Sequence, residues 1–127
     1  MGSLSRSKGK RGELELSHEL ERVLGIEARR GQQFSGGDDS PDIVHSIPDV
    51  HIECKRVEML RMTSALDQAV EDAGDKVPVV MHRKNNQPWL VTVRLDDVPR
   101  FAASIVSAVN MSVKTENRKP ESEESDA

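Results

Sequence analysis

Two carboxylates and one ammonium group are spaced so that they could converge on a single point. Asp42 follows Pro41, and after ten intervening residues comes the run Glu53-Cys54-Lys55. Two carboxylates can hold a Mg²⁺ ion that keeps most of its water molecules. A neighbouring lysine can orient one of those waters and offset negative charge on a phosphate. These residues could therefore hydrolyse a phosphodiester bond, provided that the elements carrying them bring them together.

The alternation of side chains predicts how two of these residues are presented. Residues 50–56 read as a strand in which His51, Glu53 and Lys55 share one face, while the residues between them, mostly apolar, share the other. Asp42 is expected at the start of the preceding strand. The alternatives are a turn aspartate after proline and an ion pair within the strand that stabilises little. The apolar opposite face favours a partly enclosed site over these alternatives.

A third carboxylate is predicted on the first helix, over residues 12–24. Its apolar stripe consists of Leu16, Leu20, Val23 and Leu24. At about 100° per residue Glu13 projects roughly 20° from Leu20, inside the stripe, whereas Glu15, His18 and Arg22 lie on the opposite face. An inward carboxylate requires a partner or a metal ion. The alternative for Glu13 is an acid in the first helical turn, favoured by the helix dipole.

The remaining pattern predicts a mixed α/β (α+β) fold. After the first helix we expect strands over residues 26–34, 42–45 and 50–56, a helix over 63–74, strands over 77–83 and 89–95, and a last helix capped by Asp96. Ser64 with Asp67 is a candidate capping box for the second helix, and Gly74 is a candidate stop. The order α-β-β-β-α-β-β-α predicts a central mixed five-stranded sheet flanked by helices.

Composition limits the class of protein. A chain of 127 residues fits one domain, and only 2% of its residues are aromatic, which disfavours a single-strand binder that stacks bases. Cys54 is the only cysteine, so no internal disulfide can form and a reducing compartment fits. No apolar run is long enough to span a bilayer. We expect a soluble protein in the cytoplasm of a bacterial or archaeal cell, or of a phage-infected host.

The charges are unevenly distributed along the chain, although their sum is −4. Residues 1–11 are predicted to be a basic flexible arm that carries Lys8, Lys10 and Arg11. Residues 12–110 are predicted to form the folded domain. Residues 111–127 are acidic, lack apolar periodicity and are predicted to be a disordered tail. The acidic total is therefore weak evidence against a DNA partner.

Zinc chemistry finds no support in the sequence. His51 and Glu53 form a His-x-Glu pattern of the kind found in zinc deaminases, but those sites also need a Cys-x-x-Cys pair. The four histidines show no zinc-ligand spacing. The Cys54 side chain is expected to point to the apolar face as a small core residue, whereas its backbone carbonyl could supply an oxygen to a metal ion.

The succession of motifs resembles the PD-(D/E)xK nuclease superfamily, and within it the archaeal-type and phage Holliday junction resolvases. The residues that carry the resemblance lie roughly between positions 8 and 95. They are the opening Lys8-Gly9-Lys10-Arg11-Gly12-Glu13, the loop Phe34-Ser35-Gly36-Gly37 before Pro41-Asp42, the strand Ile52-Glu53-Cys54-Lys55, and Gln68 on the second helix.

This resemblance implies a restriction-endonuclease-like core and a Mg²⁺- or Mn²⁺-dependent DNA endonuclease that leaves a 5′-phosphate and a 3′-hydroxyl. Asp42, Glu53, Glu13 and the Cys54 carbonyl would bind metal, and Lys55 would orient the attacking water. DNA contacts are expected from Lys8, Lys10, Arg11, Ser35 and Gln68. A four-way junction as substrate implies two symmetric cuts and hence a homodimer. The alternatives are a nickase, a restriction-like or phage DNA-processing nuclease, and a catalytically inactive DNA-binding relative.

Overall fold

The structure is a computed structural model, which describes the backbone of residues 2–31 and 42–124 and the side chains of residues 9–31 and 42–113. The mixed α+β class is confirmed. The elements are α1 (Gly2–Leu24), β1 (Ala28–Arg30), β2 (Ile43–His45), β3 (Val50–Arg56), α2 (Met62–Ala73), β4 (Val77–Arg83), β5 (Leu90–Val93), a 3₁₀ turn (Leu95–Asp97) and α3 (Val98–Glu124). Within the described part, no helix is both long enough and apolar enough to span a membrane.

The five strands form two sheets, so the predicted single five-stranded sheet is not confirmed. The larger sheet has the order β3-β4-β5. Strand β4 pairs parallel to β3 over seven residues and antiparallel to β5 over four. The smaller sheet joins β1 and β2, which are only three residues long and antiparallel. Strand β3 is therefore an edge strand in the described structure, and its outer backbone groups need partners from elsewhere.

Strand β3 is covered on both faces. On one face Ile52 joins a buried cluster with Leu16 and Leu20 of α1 and Ala108 of α3, as its alternation predicts. Val23, which was predicted to belong to the apolar stripe of α1, is instead 63% exposed. The other face is covered by α2, whose alanines at positions 65 and 69 pack on Val80 of β4. Because Glu53 lies opposite Val80 in the ladder, the sheet carries Glu53 into a partly enclosed space.

Helix α2 ends as predicted but begins differently. It runs from Met62 to Ala73, and Gly74 follows with a φ of 60°, a conformation that glycine adopts without strain. The predicted capping box is wrong, because the helix starts at Met62 and its N-cap residue is Arg61, whose side chain makes no capping hydrogen bond. Ser64 and Asp67 consequently lie inside the helix on its exposed surface.

The first and last helices are longer than the sequence predicts. Helix α1 starts at Gly2 rather than residue 12, and α3 continues to Glu124 rather than ending near residue 110. Residues 2–11 and 111–124, predicted as a flexible arm and a disordered tail, are therefore helical. Propagation adds one backbone hydrogen bond for each residue that joins an existing helix, so a polar extension needs no apolar stripe of its own.

Helix α1 is fixed against the ends of β3 and β4. A Cβ atom on Gly12 would lie 2.5 Å from the Cβ of Arg56, so only glycine permits this approach. Three residues along the helix, Glu15 accepts hydrogen bonds from Arg56, at 3.2 Å, and from Arg83. Glu15 is thus half-buried rather than on the solvent-facing side that its position on the helix predicts. These contacts determine where Glu13, between Gly12 and Glu15, is placed relative to β3.

Candidate functional site

Strand β3 presents His51, Glu53 and Lys55 together, as the alternation predicts. Glu53 is buried, with 9% of its side chain exposed. One carboxylate oxygen, Oε1, lies 3.1 Å from Nε2 of His51, and the other, Oε2, lies 4.0 Å from Nζ of Lys55. About a third of the Lys55 side chain remains exposed to solvent. Glu53 therefore has one oxygen directed towards each of its two neighbours.

Asp42 is held against the middle of β3 by a hydrogen bond. Its Oδ2 accepts from the backbone N–H of Cys54 at 3.0 Å, across twelve residues of sequence. Strand β3 lies at the edge of its sheet in the described structure, so no strand on that side accepts a hydrogen bond from this N–H. The Asp42 carboxylate accepts it instead. The contact places the Asp42 carboxylate beside the segment that carries Glu53 and Lys55.

The pKa of Asp42 is raised by the combined effect of its burial and its neighbours. Burial raises its pKa, and the hydrogen bond from Cys54 opposes that effect. The negative charge of Glu53 raises the pKa further, whereas the positive charge of Lys55 lowers it. Glu53 and Lys55 are therefore close enough to Asp42 for their charges to act on its carboxylate.

Glu13 is the third carboxylate of this group. Only 20% of its side chain is exposed, and its Oε1 lies 3.6 Å from Nε of Arg30. Burial and then the charge of Asp42 raise the pKa of Glu13 to about 7, Arg30 and Lys10 lower it, and Glu53 adds a smaller upward effect. Helical phasing had predicted an inward carboxylate at this position, and the structure places one there.

The oxygen donors of this group are of the type that binds a divalent cation. Burial raises the pKa of Glu13 and of Asp42, and neighbouring negative charge raises both further, so a bound cation would offset that charge. Oxygen-only donors are the ligands that Mg²⁺ and Mn²⁺ accept. Metal binding by Asp42, Glu53 and Glu13 stays a prediction, as does a contact from the Cys54 carbonyl. Among the residues that the structure describes, the three ligand atoms that lie within 4.8 Å of one another belong to His51, Glu53 and Asp72.

The Cys54 side chain takes no part in this donor set. It packs against the apolar cluster on the α1 side of the sheet, as its position in the strand predicts. Burial raises the pKa of its thiol, and the negative charges of Asp42 and Glu13 raise it further. A thiol in this environment stays protonated, which makes it a poor metal ligand and nucleophile.

Of the residues predicted to contact DNA, those whose side chains the structure describes lie on two helices, α1 and α2. Lys10 and Arg11 are exposed on α1 just before the site, and the charge of Lys10 reaches Glu13. Gln68 is exposed on α2, where its Nε2 donates to Oδ2 of Asp72 at 3.1 Å. Ser35 and the side chain of Lys8 lie outside the described residues. Their DNA contacts, like those of the other residues, stay predictions.

Three neighbours of the site were not predicted to belong to it. His51 was considered only as part of a zinc-deaminase pattern, although its alternation with Glu53 already placed it on the same face. Arg30 pairs with Glu13 from β1. Asp72 reaches the site from α2, and one ligand atom from each of His51, Glu53 and Asp72 lies within 4.8 Å of the other two. Nothing in the local sequence pattern distinguishes Asp72 from the other exposed acids of α2.

An acidic residue on the first helix, an aspartate before β2 and a Glu-x-Lys strand are the marks of a PD-(D/E)xK nuclease. The family described as "Phage putative PDDEXK endonuclease" has a model that matches residues 4–125. The chain belongs to this family. No curated protein and no solved structure matches the chain.

Proposed function

We propose that the chain is a metal-dependent DNA endonuclease whose active site consists of Asp42, Glu53, Lys55 and Glu13. The observation that carries the proposal is the hydrogen bond from the Cys54 N–H to Asp42, which joins the two halves of the motif. Glu13, from a third element, adds a carboxylate whose pKa is raised by burial and then by the charge of Asp42. Family membership supports the reaction class.

The carboxylates and the lysine have different tasks in this proposal. Asp42, Glu53 and Glu13 hold the cation, Mg²⁺ or Mn²⁺. When bound, such an ion lowers the pKa of its water ligands and offsets charge on the phosphate. Lys55 orients the attacking water by a hydrogen bond from its ammonium group and stabilises the charge that accumulates as phosphorus becomes five-coordinate. The expected products carry a 5′-phosphate and a 3′-hydroxyl.

The DNA path is proposed to follow the exposed basic residues next to the carboxylates. Lys10 and Arg11 are exposed on α1 shortly before Glu13, and about a third of the Lys55 side chain is exposed. Phosphate contacts of this kind position a duplex without reading its sequence. Shape-selective cutting of a four-way junction by a homodimer, with one cut from each subunit, is the specific form of the activity that we propose to test first.

The test compares DNA shapes and lysine variants. Wild type, Lys55→Ala and Lys76→Ala are each incubated with a synthetic four-way junction and a linear duplex of the same sequence, with Mg²⁺, Mn²⁺ or chelator. Lys76 is an exposed lysine before the first residue of β4, at the opposite end of the β3–β4 ladder from Lys55, so its removal controls for lost charge. Metal-dependent cutting by wild type and Lys76→Ala, absent in Lys55→Ala, is the expected result.

The other outcomes separate the parts of the proposal. Equal cutting of both substrates would retain the endonuclease and remove the junction preference. Binding to DNA without cutting under any metal or pH condition would refute the enzymatic proposal and identify an inactive DNA-binding relative. Sedimentation of the protein at the concentration of the assay decides whether a dimer is present.

A further inference from the structure

We propose that His51, Glu53 and Asp72 form a second cation position that takes an imidazole-accepting divalent ion such as Mn²⁺ or Zn²⁺. Glu53 would be shared with the position at Asp42. One ligand atom from each of the three residues lies within 4.8 Å of the others. Ligands on opposite sides of one ion are about 4.2 Å apart when metal–ligand distances are about 2.1 Å, so a small adjustment would bring all three onto one ion.

The fold explains how these residues meet. His51 and Glu53 are two residues apart on β3, so both point to the face that α2 covers. Helix α2 packs on the sheet through Ala65, Ala69 and Ala73, and such small side chains permit a close approach. The short side chain of Asp72, in the last turn of the helix, can therefore reach the strand.

The surroundings hold each ligand in position. The side chain of His51 is only 11% exposed, and its Nε2 lies 3.1 Å from Oε1 of Glu53. Lys55 lies near the other oxygen of Glu53, Oε2. Asp72 accepts a hydrogen bond from Gln68 at 3.1 Å, one helical turn earlier, which orients its carboxylate. An outer partner of this kind is a common feature of metal ligands. The two oxygens of Glu53 thus face different neighbours, Oε1 the imidazole of His51 and Oε2 the ammonium group of Lys55.

The chemistry of the donors distinguishes the two positions. Mg²⁺ favours oxygen ligands and an octahedral shell that keeps several waters. Imidazole nitrogen suits Mn²⁺ less than Zn²⁺, but both accept it together with carboxylates. The position at His51 is therefore expected to discriminate against Mg²⁺, and to take Zn²⁺ more tightly than Mn²⁺.

The experiment measures metal binding, so it does not depend on nuclease activity. The chelator-treated full-length protein is titrated with Zn²⁺ by calorimetry, and the Mn²⁺-loaded protein is examined by pulsed electron paramagnetic resonance for nitrogen coupling to the metal. The variants are His51→Gln, Asp72→Asn, and Glu71→Gln, which removes the same charge from the neighbouring exposed residue of α2. Circular dichroism verifies that each variant is folded.

Wild type and Glu71→Gln should bind Zn²⁺ with equal affinity and show ¹⁴N coupling to Mn²⁺. Loss of a direct ligand should cost at least as much as loss of an outer partner, so His51→Gln and Asp72→Asn should weaken Zn²⁺ binding by about tenfold or more. The ¹⁴N signal should disappear in His51→Gln. Mn²⁺ bound to wild type without nitrogen coupling, or unchanged Zn²⁺ affinity in Asp72→Asn, would overturn the proposal. Asp42→Asn should keep the nitrogen signal, so failure of the nuclease proposal would be distinguishable.

Discussion

Replacement of Gly12 by alanine tests how closely α1 must approach the strand that carries the site. The new Cβ would lie 2.5 Å from the Cβ and 3.1 Å from the Cγ of Arg56. A Cβ is fixed to its backbone and cannot rotate away, so α1 and β3 would have to separate. Gly9 lies one turn earlier in the same helix, and a Cβ there would meet nothing within 4 Å. Gly9→Ala is therefore a matched control.

The two variants are expected to differ in stability because both gain helix propensity but only Gly12→Ala introduces a steric clash. Alanine improves helix propensity over glycine by about 0.8–1.0 kcal/mol in a helix interior, and both variants gain this term. Overpacking costs about 1–3 kcal/mol, and only Gly12→Ala incurs it. Gly9→Ala should thus be more stable than wild type, and Gly12→Ala should be less stable than Gly9→Ala by about 1–3 kcal/mol.

Equilibrium unfolding in urea, followed by circular dichroism, measures this difference directly. Equal stabilities of the two variants, or a more stable Gly12→Ala, would refute the close packing of α1 on β3. The position of Glu13 relative to the other carboxylates would then lose its explanation as well.

Three further predictions concern charge and burial. Glu15→Ala, which leaves two partly buried arginines without their shared carboxylate, should lower the free energy of unfolding by about 1–2 kcal/mol. Glu19→Ala, which breaks only an exposed pair, should lower it far less. In chelator, the raised pKa of Glu13 favours its protonated form in the folded state. The stability that Glu13 contributes is therefore full below pH 4.5 and is lost as the pH rises through about 7. Between pH 5 and pH 8 the free energy of unfolding in urea should fall by about 1–2 kcal/mol, and Glu13→Gln should reduce that fall. Because burial raises the pKa of the Cys54 thiol, a disulfide reagent at pH 8 should modify native protein far more slowly than urea-unfolded protein, and equal rates would contradict its burial.

Local sequence patterns predicted β3 and β4 well. The bounds of β3 and β4 agree with the expected ranges, because β3 alternates clearly and the first five residues of β4 are an apolar run that follows a turn. The same patterns could not predict sheet membership. Strand β1 was expected over residues 26–34 but spans Ala28–Arg30, and its pairing with β2 alone depends on how the two sheets pack.

Local patterns also predicted part of the site, whereas its contacts between distant segments could not be predicted from them. Alternation placed Glu53 and Lys55 on one face, and helical phasing turned Glu13 inward. The hydrogen bond that joins Asp42 to Cys54 spans twelve residues and depends on β3 being an edge strand, which no local pattern contains. Asp72 enters the site only because α2 packs at a particular rotation on the sheet, so its role could not be recognised from its neighbours in sequence.

The central claim is most directly tested by the rate at which Asp42→Asn cleaves DNA in the presence of Mg²⁺ or Mn²⁺. The amide oxygen of asparagine can still accept the hydrogen bond from the Cys54 N–H, so the variant should keep the fold while losing the carboxylate charge. A lost metal ligand is worth several kcal/mol of transition-state stabilisation, which predicts single-turnover cleavage slower than wild type by about a hundredfold or more. Cleavage at the wild-type rate, with the same dependence on metal concentration, would contradict the account.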